Sequence, residues 1–191
     1  MDPLAALHQS RLEFEQRLAA VADDQWDDST PCDEWTVRDL ANHMLLGTRM
    51  TVQLLAGGAQ QDVIAGLGDD LMAQTDDPVG AFGQLADEME RGFSAPNGLE
   101  GTVNHPMGEL PRSMFVLFRV TDNAIHAWDL ARALGADERL NGELVEYLWQ
   151  ASQPMADGLA DTGMFGSGAS GTLGDGAPLQ DRLLDMMGRR P

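Results

Sequence analysis

Apolar positions recur along this chain at helical spacing, in blocks separated by polar or glycine-rich stretches. Residues 4 to 22 carry Leu4, Leu7, Leu12, Phe14, Leu18 and Val21, which suits an amphipathic helix better than a strand. A polar connection with a proline follows, from Asp27 to Trp35. Thr36 and Asp39 then form a capping box in which Asp replaces the usual Glu. The second helix runs over residues 37 to 56 and stops at Gly57-Gly58, with Leu40, His43, Met44, Gly47, Thr51 and Leu54 on one inward stripe. A third starts at Asp76-Asp77-Pro78, proline in its first turn, and has a core face of Val79, Phe82, Leu85, Met89 and Phe93. Residues 95 to 112 form a long connection. A fourth helix spans residues 113 to 134 and is ended by Gly135. A fifth runs from the cap Asn141 to about Ala160, kinked at Pro154. Residues 163 to 176 are glycine-dense and expected to be mobile, and a short helix over 179 to 187 closes the chain. No segment alternates with period two long enough for a strand, and no repeat is visible. The expectation is an all-α fold.

At 191 residues the chain suits one domain spanning 1–191, large enough for a real core. Its formal charge of -19, from 31 acidic and 12 basic residues, would be repelled by phosphate backbones and anionic lipid. Nucleic acid is therefore excluded as a partner, and no apolar run reaches the roughly 18 residues of a membrane helix. Every basic residue is arginine, so Schiff-base chemistry on a lysine is excluded. The single cysteine, Cys32, forms no intramolecular disulfide, and the start lacks the marks of a secretory signal. A cytoplasmic location is expected. Pairing through exposed apolar helix surface would give a homodimer, although no heptad seam specifies one.

The chemistry concentrates in Asp122-Asn123-Ala124-Ile125-His126. A carboxylate and an imidazole four residues apart lie on one helical face and can grip one ion. Many such pairs are ordinary surface contacts, and an inward histidine such as His43 is usually a satisfied core residue. Here the pair shares its face with Phe115, Phe118, Ile125 and Asp129, and an unpaired buried Asp there would be costly. Coordination removes that cost. If the second and fourth helices pack together, His43, Asp122 and His126 form a site for a divalent metal with open positions, zinc first and nickel or iron in reserve. Such an ion can acidify bound water or deprotonate a coordinated thiol.

Asp129 can orient an imidazole from behind the site, although a salt bridge to Arg38 or Arg132 is the simpler expectation. His105 is expected to be a solvated loop residue rather than a ligand or substrate contact. Cys32 is read as a small buried apolar residue, since nothing near it in sequence activates it. Trp35 and Trp128 are read as packing residues, and His8 receives no role. Arg49, Arg112 and Arg119 are the candidates for lining a pocket.

Thr30-Pro31-Cys32-Asp33-Glu34-Trp35-Thr36-Val37-Arg38-Asp39-Leu40-Ala41-Asn42-His43 resembles the N-terminal signature of actinobacterial proteins related to mycothiol-dependent maleylpyruvate isomerase. Residues 122 to 135, reading His126-Ala127-Trp128-Asp129-Leu130-Ala131-Arg132 at their centre, are similar to a second signature of that group, and residues 181 to 189 to its ending. The resemblance implies a DinB-like four-helix bundle with additional short helices. It implies a metal held by a histidine of the second helix and an acid-x-x-x-histidine pair of a later one, which map onto His43, Asp122 and His126. The isomerase branch has glutamate where this chain has Asp122, and a further C-terminal domain for which 191 residues leave no room. Maleylpyruvate isomerisation is therefore not carried over. The broader expectation is a metal-dependent thiol transferase or isomerase in which a thiol such as mycothiol meets a small electrophilic molecule, with the 163 to 176 segment gating access. The alternative is a non-catalytic divalent-metal-binding or stress-associated bundle.

Overall fold

The computed structural model describes residues 1–156 and 168–191. Helix α1 (Pro3–Leu18) opens where the Asp2 carboxylate accepts the backbone N–H groups of Leu4 and Ala5, each at 3.0 Å. It ends four residues short of the expected boundary, at a turn where the Gln25 side chain accepts the Ala22 N–H. Helix α2 (Val37–Leu55) has the expected capping box: Asp39 N–H donates to Thr36 Oγ1, and Thr36 N–H donates to Asp39 Oδ2. A short α3 (Gln60–Gly66) follows, too brief for its periodicity to register in the sequence. Asp77 caps α4 (Pro78–Ser94) through the Gly80 N–H.

The expected absence of strands is corrected between α4 and the next helix. There β1 (Thr102–His105) and β2 (Gly108–Pro111) pair antiparallel, with His105 opposite Gly108. Four residues per strand are too few for an alternation of period two to stand out. Gly108 has φ +118°, a backbone conformation that favours glycine at the hairpin turn. The hairpin runs into α5 (Arg112–Ala133), whose buried face includes Phe115, Val120, Ile125 and Trp128. Asn141 caps α6 (Gly142–Ser152), which is followed by a 3-10 turn, Gln153–Met155, at the proline where a kink is expected. The expected extension from 157 to 160 lies outside the described residues, as do 163 to 167 of the glycine-dense segment. Helix α7 (Leu179–Met186) follows.

Four long helices make the bundle. α1 packs on α5 and α4, and α2 packs on α4 and α5, which closes a ring. Phe14 meets Phe82 between α1 and α4, with ring centroids 4.9 Å apart, and Phe93 meets Phe115 between α4 and α5. Trp128, Leu7, Leu40, Met44 and Met89 fill the interior. Full burial of each such side chain stabilises the fold by about 1.5–3 kcal/mol. α6 and α7 pack on each other outside this ring. No helix among the described residues is long and apolar enough to cross a membrane.

Candidate metal centre

The contact between α2 and α5 brings the three sequence-selected side chains together. His126 Nε2 lies 3.4 Å from Asp122 Oδ1, and His43 Nε2 lies 3.5 Å from the same oxygen. The three ligand atoms all fall within 4.8 Å of one another. Ligands about 2.1 Å from a tetrahedral ion are separated from each other by about 3.4 Å, so the two measured edges fit a shared cation. A second observation favours this fit. His43 Nε2 is buried and has no hydrogen-bond partner among the described residues, standing 3.5 Å from Asp122 Oδ1. An orphaned ring nitrogen beside a carboxylate is what a missing ligand–metal bond leaves behind.

The surroundings hold each ligand in place. Asp122 uses its other oxygen, Oδ2, to accept Arg119 Nη1 at 2.8 Å. Burial would raise the Asp122 pKa, but Arg119, His43 and His126 outweigh it and keep the carboxyl well below its usual range. Burial would likewise lower the His126 pKa, yet Asp122, Asp129 and Cys32 drive it well above the usual imidazole value. The field at this point thus favours positive charge. Asp129 is 0% exposed and accepts His126 Nδ1 at 2.9 Å, which fixes the ring with Nε2 toward Asp122. Despite its burial, Asp129 is held at a pKa of about 2 by His126 and Arg189.

Behind the triad, Cys32, His126 and Asp129 form a second convergent group. Arg189 already supplies its cation, donating to both Asp129 oxygens and approaching Cys32 Sγ at 3.5 Å. That cluster is a positioning network for His126, one of the three candidate ligands.

Several sequence expectations change here. The arginine paired with Asp129 is Arg189, whereas Arg38 pairs with Asp70 and Arg132 with Glu138. Sixty residues separate Asp129 from Arg189, so no local pattern could announce the pair. Cys32 is half-buried against the edge of the core, and its Sγ also meets charged groups, 3.3 Å from Asp129 Oδ2. His105 is no solvated loop residue: it ends β1 at 8% exposure. Trp35 does more than pack in the core, since its ring lies 4.8 Å from that of His43. Glu34, at φ +66°, turns the chain just before it. Of the arginine candidates only Arg119 reaches the cavity. Arg49 turns to Asp69 and the Gly66 carbonyl, and Arg112 to the Leu55 carbonyl. His8 pairs with Glu90 away from the site.

The triad opens into a cavity of about 730 Å³ with an apolar wall that includes Trp35, Leu46, Met50, Phe115 and Phe118. Arg119 reaches Asp122 across Gly47, where an added Cβ would lie 2.8 Å from Arg119 Nη1. Gly47→Ala should therefore forgo the helix-propensity gain of about 1 kcal/mol that this change usually brings. Metal affinity should also fall about 10-fold as the guanidinium leaves Asp122. Urea melts and competition with a metal-binding dye check both outcomes.

Comparison with known proteins bears on the same elements. The family described as mycothiol maleylpyruvate isomerase N-terminal domain matches residues 7–131. Two uncharacterized proteins of Mycobacterium tuberculosis, from strains H37Rv and CDC 1551, are each 35% identical over 144 residues, covering 75% of this chain and 74% of theirs. The crystal structure of the mycothiol-dependent maleylpyruvate isomerase superposes with a TM-score of 0.59 at 14% identity, over 82% of this chain and 71% of that one. A histidine-to-alanine variant of the isomerase matches equally, over 70% of its chain. The fold is thus the DinB-like one of that enzyme. The matched span contains α2 and nearly all of α5, the two helices that carry His43, Asp122 and His126, and the chain belongs to the mycothiol maleylpyruvate isomerase N-terminal domain family.

Proposed function

We propose that this protein is a metal-dependent transferase or isomerase that uses a low-molecular-weight thiol, mycothiol foremost, on a small electrophilic substrate. One observation carries the reading: an orphaned His43 Nε2 converges with His126 Nε2 and Asp122 Oδ1 where a large cavity opens. The family's name supplies the thiol. His43, Asp122 and His126 would hold the ion, with zinc the first candidate. A bound divalent ion supplies Lewis acidity there and keeps a thiol as its thiolate.

The chain's own groups do the rest. Asp129 keeps the His126 Nδ1 proton directed away from the site, and Arg119 fixes the rotation of the Asp122 carboxylate. Trp35, Met50 and Phe118 exclude water from one side of the cavity and strengthen the electrostatics inside. A reduced thiol cofactor fits a cytoplasmic location.

Metal analysis of protein purified without a histidine tag, followed by incubation with mycothiol and a panel of electrophiles, tests the proposal. Stoichiometric metal is expected, together with turnover of an electrophile that requires both the protein and the thiol. Metal without thiol binding or turnover would leave the non-catalytic metal-binding reading instead.

A further inference from the structure

His105 stands in the same cavity, outside the ligand triad. The residue is 8% exposed, and its ring lies edge-on to Phe115, with centroids 5.6 Å apart. The backbone N–H of Met107 donates to its Nδ1 at 3.2 Å, so the proton of the neutral ring resides on Nε2. Burial, aided by Arg119, keeps the pKa of this ring below the ordinary imidazole value, and the ring is uncharged at neutral pH. Nε2 has no hydrogen-bond partner among the described residues. The Gln60 side chain fastens the same residue by donating to its carbonyl at 2.6 Å. A fastened, neutral ring with one unpartnered N–H thus lines a space sized for a small molecule.

Both arginines of the cavity wall are already engaged, Arg119 by Asp122 and Thr48 and Arg189 by Asp129. Neither offers a free cation to a substrate carboxylate, the two charges of a bound divalent ion would be met by Asp122 and the thiolate, and Asp33 adds a negative charge to the wall of a chain that carries -19 overall. An uncharged oxygen acceptor on an apolar body suits these walls better than an anion.

We propose that His105 is a substrate-binding residue whose Nε2–H holds the carbonyl oxygen of an uncharged carbonyl electrophile, such as an unsaturated ketone. This deepens the reading above and rests on it for the word substrate, but the hydrogen bond can be measured without thiol or turnover. The donor would also stabilise negative charge developing on that oxygen.

Benzylacetone, an unreactive ketone, is the binding probe. Long-range proton–nitrogen NMR of the histidine rings should first show His105 as the Nε2–H tautomer. Titration of the metal-loaded protein should then shift that signal saturably. His105→Phe should weaken binding about ten-fold, the worth of one neutral hydrogen bond, and His105→Gln, which keeps a donor, should retain most of it. Melting curves establish that both variants are folded. An Nδ1–H tautomer, a probe that does not saturate, or equal affinity for wild type and His105→Phe would overturn the assignment. In turnover, His105→Phe should lower kcat/KM for benzylideneacetone and spare chlorodinitrobenzene, which has no carbonyl. Ketone binding that depends on His105 in a protein without thiol turnover would sink the catalytic reading alone. Turnover with no His105 effect would sink this inference alone.

Discussion

His126→Ala will abolish stoichiometric divalent metal in protein purified without a histidine tag. The substitution removes one of three converging ligand atoms and leaves His43 Nε2 and Asp122 Oδ1, 3.5 Å apart, to hold an ion as a pair. Loss of an outer hydrogen-bond partner costs a metal site about 10–100-fold in affinity, and loss of a ligand itself should exceed that range. Asp122→Ala should do the same and also strand Arg119, a residue 5% exposed whose guanidinium donates to that carboxylate. His126→Ala should lower stability as well, by about 1.5–3 kcal/mol for the charged hydrogen bond to Asp129. Elemental analysis reads the first effect and urea denaturation the second. Unchanged metal content in His126→Ala would exclude the triad as the metal site.

The largest loss of stability is expected from Asp129→Ala. This carboxylate is fully buried and accepts from His126, Arg189 and the Cys32 thiol. Removing it leaves the Arg189 guanidinium in a half-closed pocket without its counter-ion, a change that typically costs about 3–5 kcal/mol. Asp129→Asn should cost less stability, because the amide oxygen still accepts, but should weaken metal binding as His126 loses its orienting charge. Arg189→Met combined with Asp129→Ala should cost less than the sum of the single changes, since neither charge is then left alone. Chemical denaturation of the four proteins tests this coupling. Additive effects would show that the two residues do not act as a pair.

Much of this protein can be read from local pattern. The capping box at Thr36 and Asp39, the proline start of α4, the Asn141 cap and the placement of Asp122 and His126 on one helical face all depend on residues within one turn of each other. Such features are legible because the backbone geometry of a helix turns spacing directly into proximity. The hairpin from Thr102 to Pro111 and the seven-residue α3 escaped for the opposite reason. Each is too short to show a period, and each is held in place by contacts with distant parts of the chain.

Helical spacing was enough to establish a mainly helical chain, to set Asp122 beside His126 and to turn His43 toward the bundle, because each of these follows from rotation about a single helix axis. The meeting of His43 with the other two depends on how α2 and α5 cross, which side-chain packing between helices sets. The surroundings of His105, the choice of Arg189 for Asp129 and the charged neighbours of Cys32 arise only when the hairpin, the loop before α2 and the chain after α7 close over the same end of the bundle. Electrostatic pairing acts through space, and burial in a low dielectric strengthens it regardless of the number of residues between the partners.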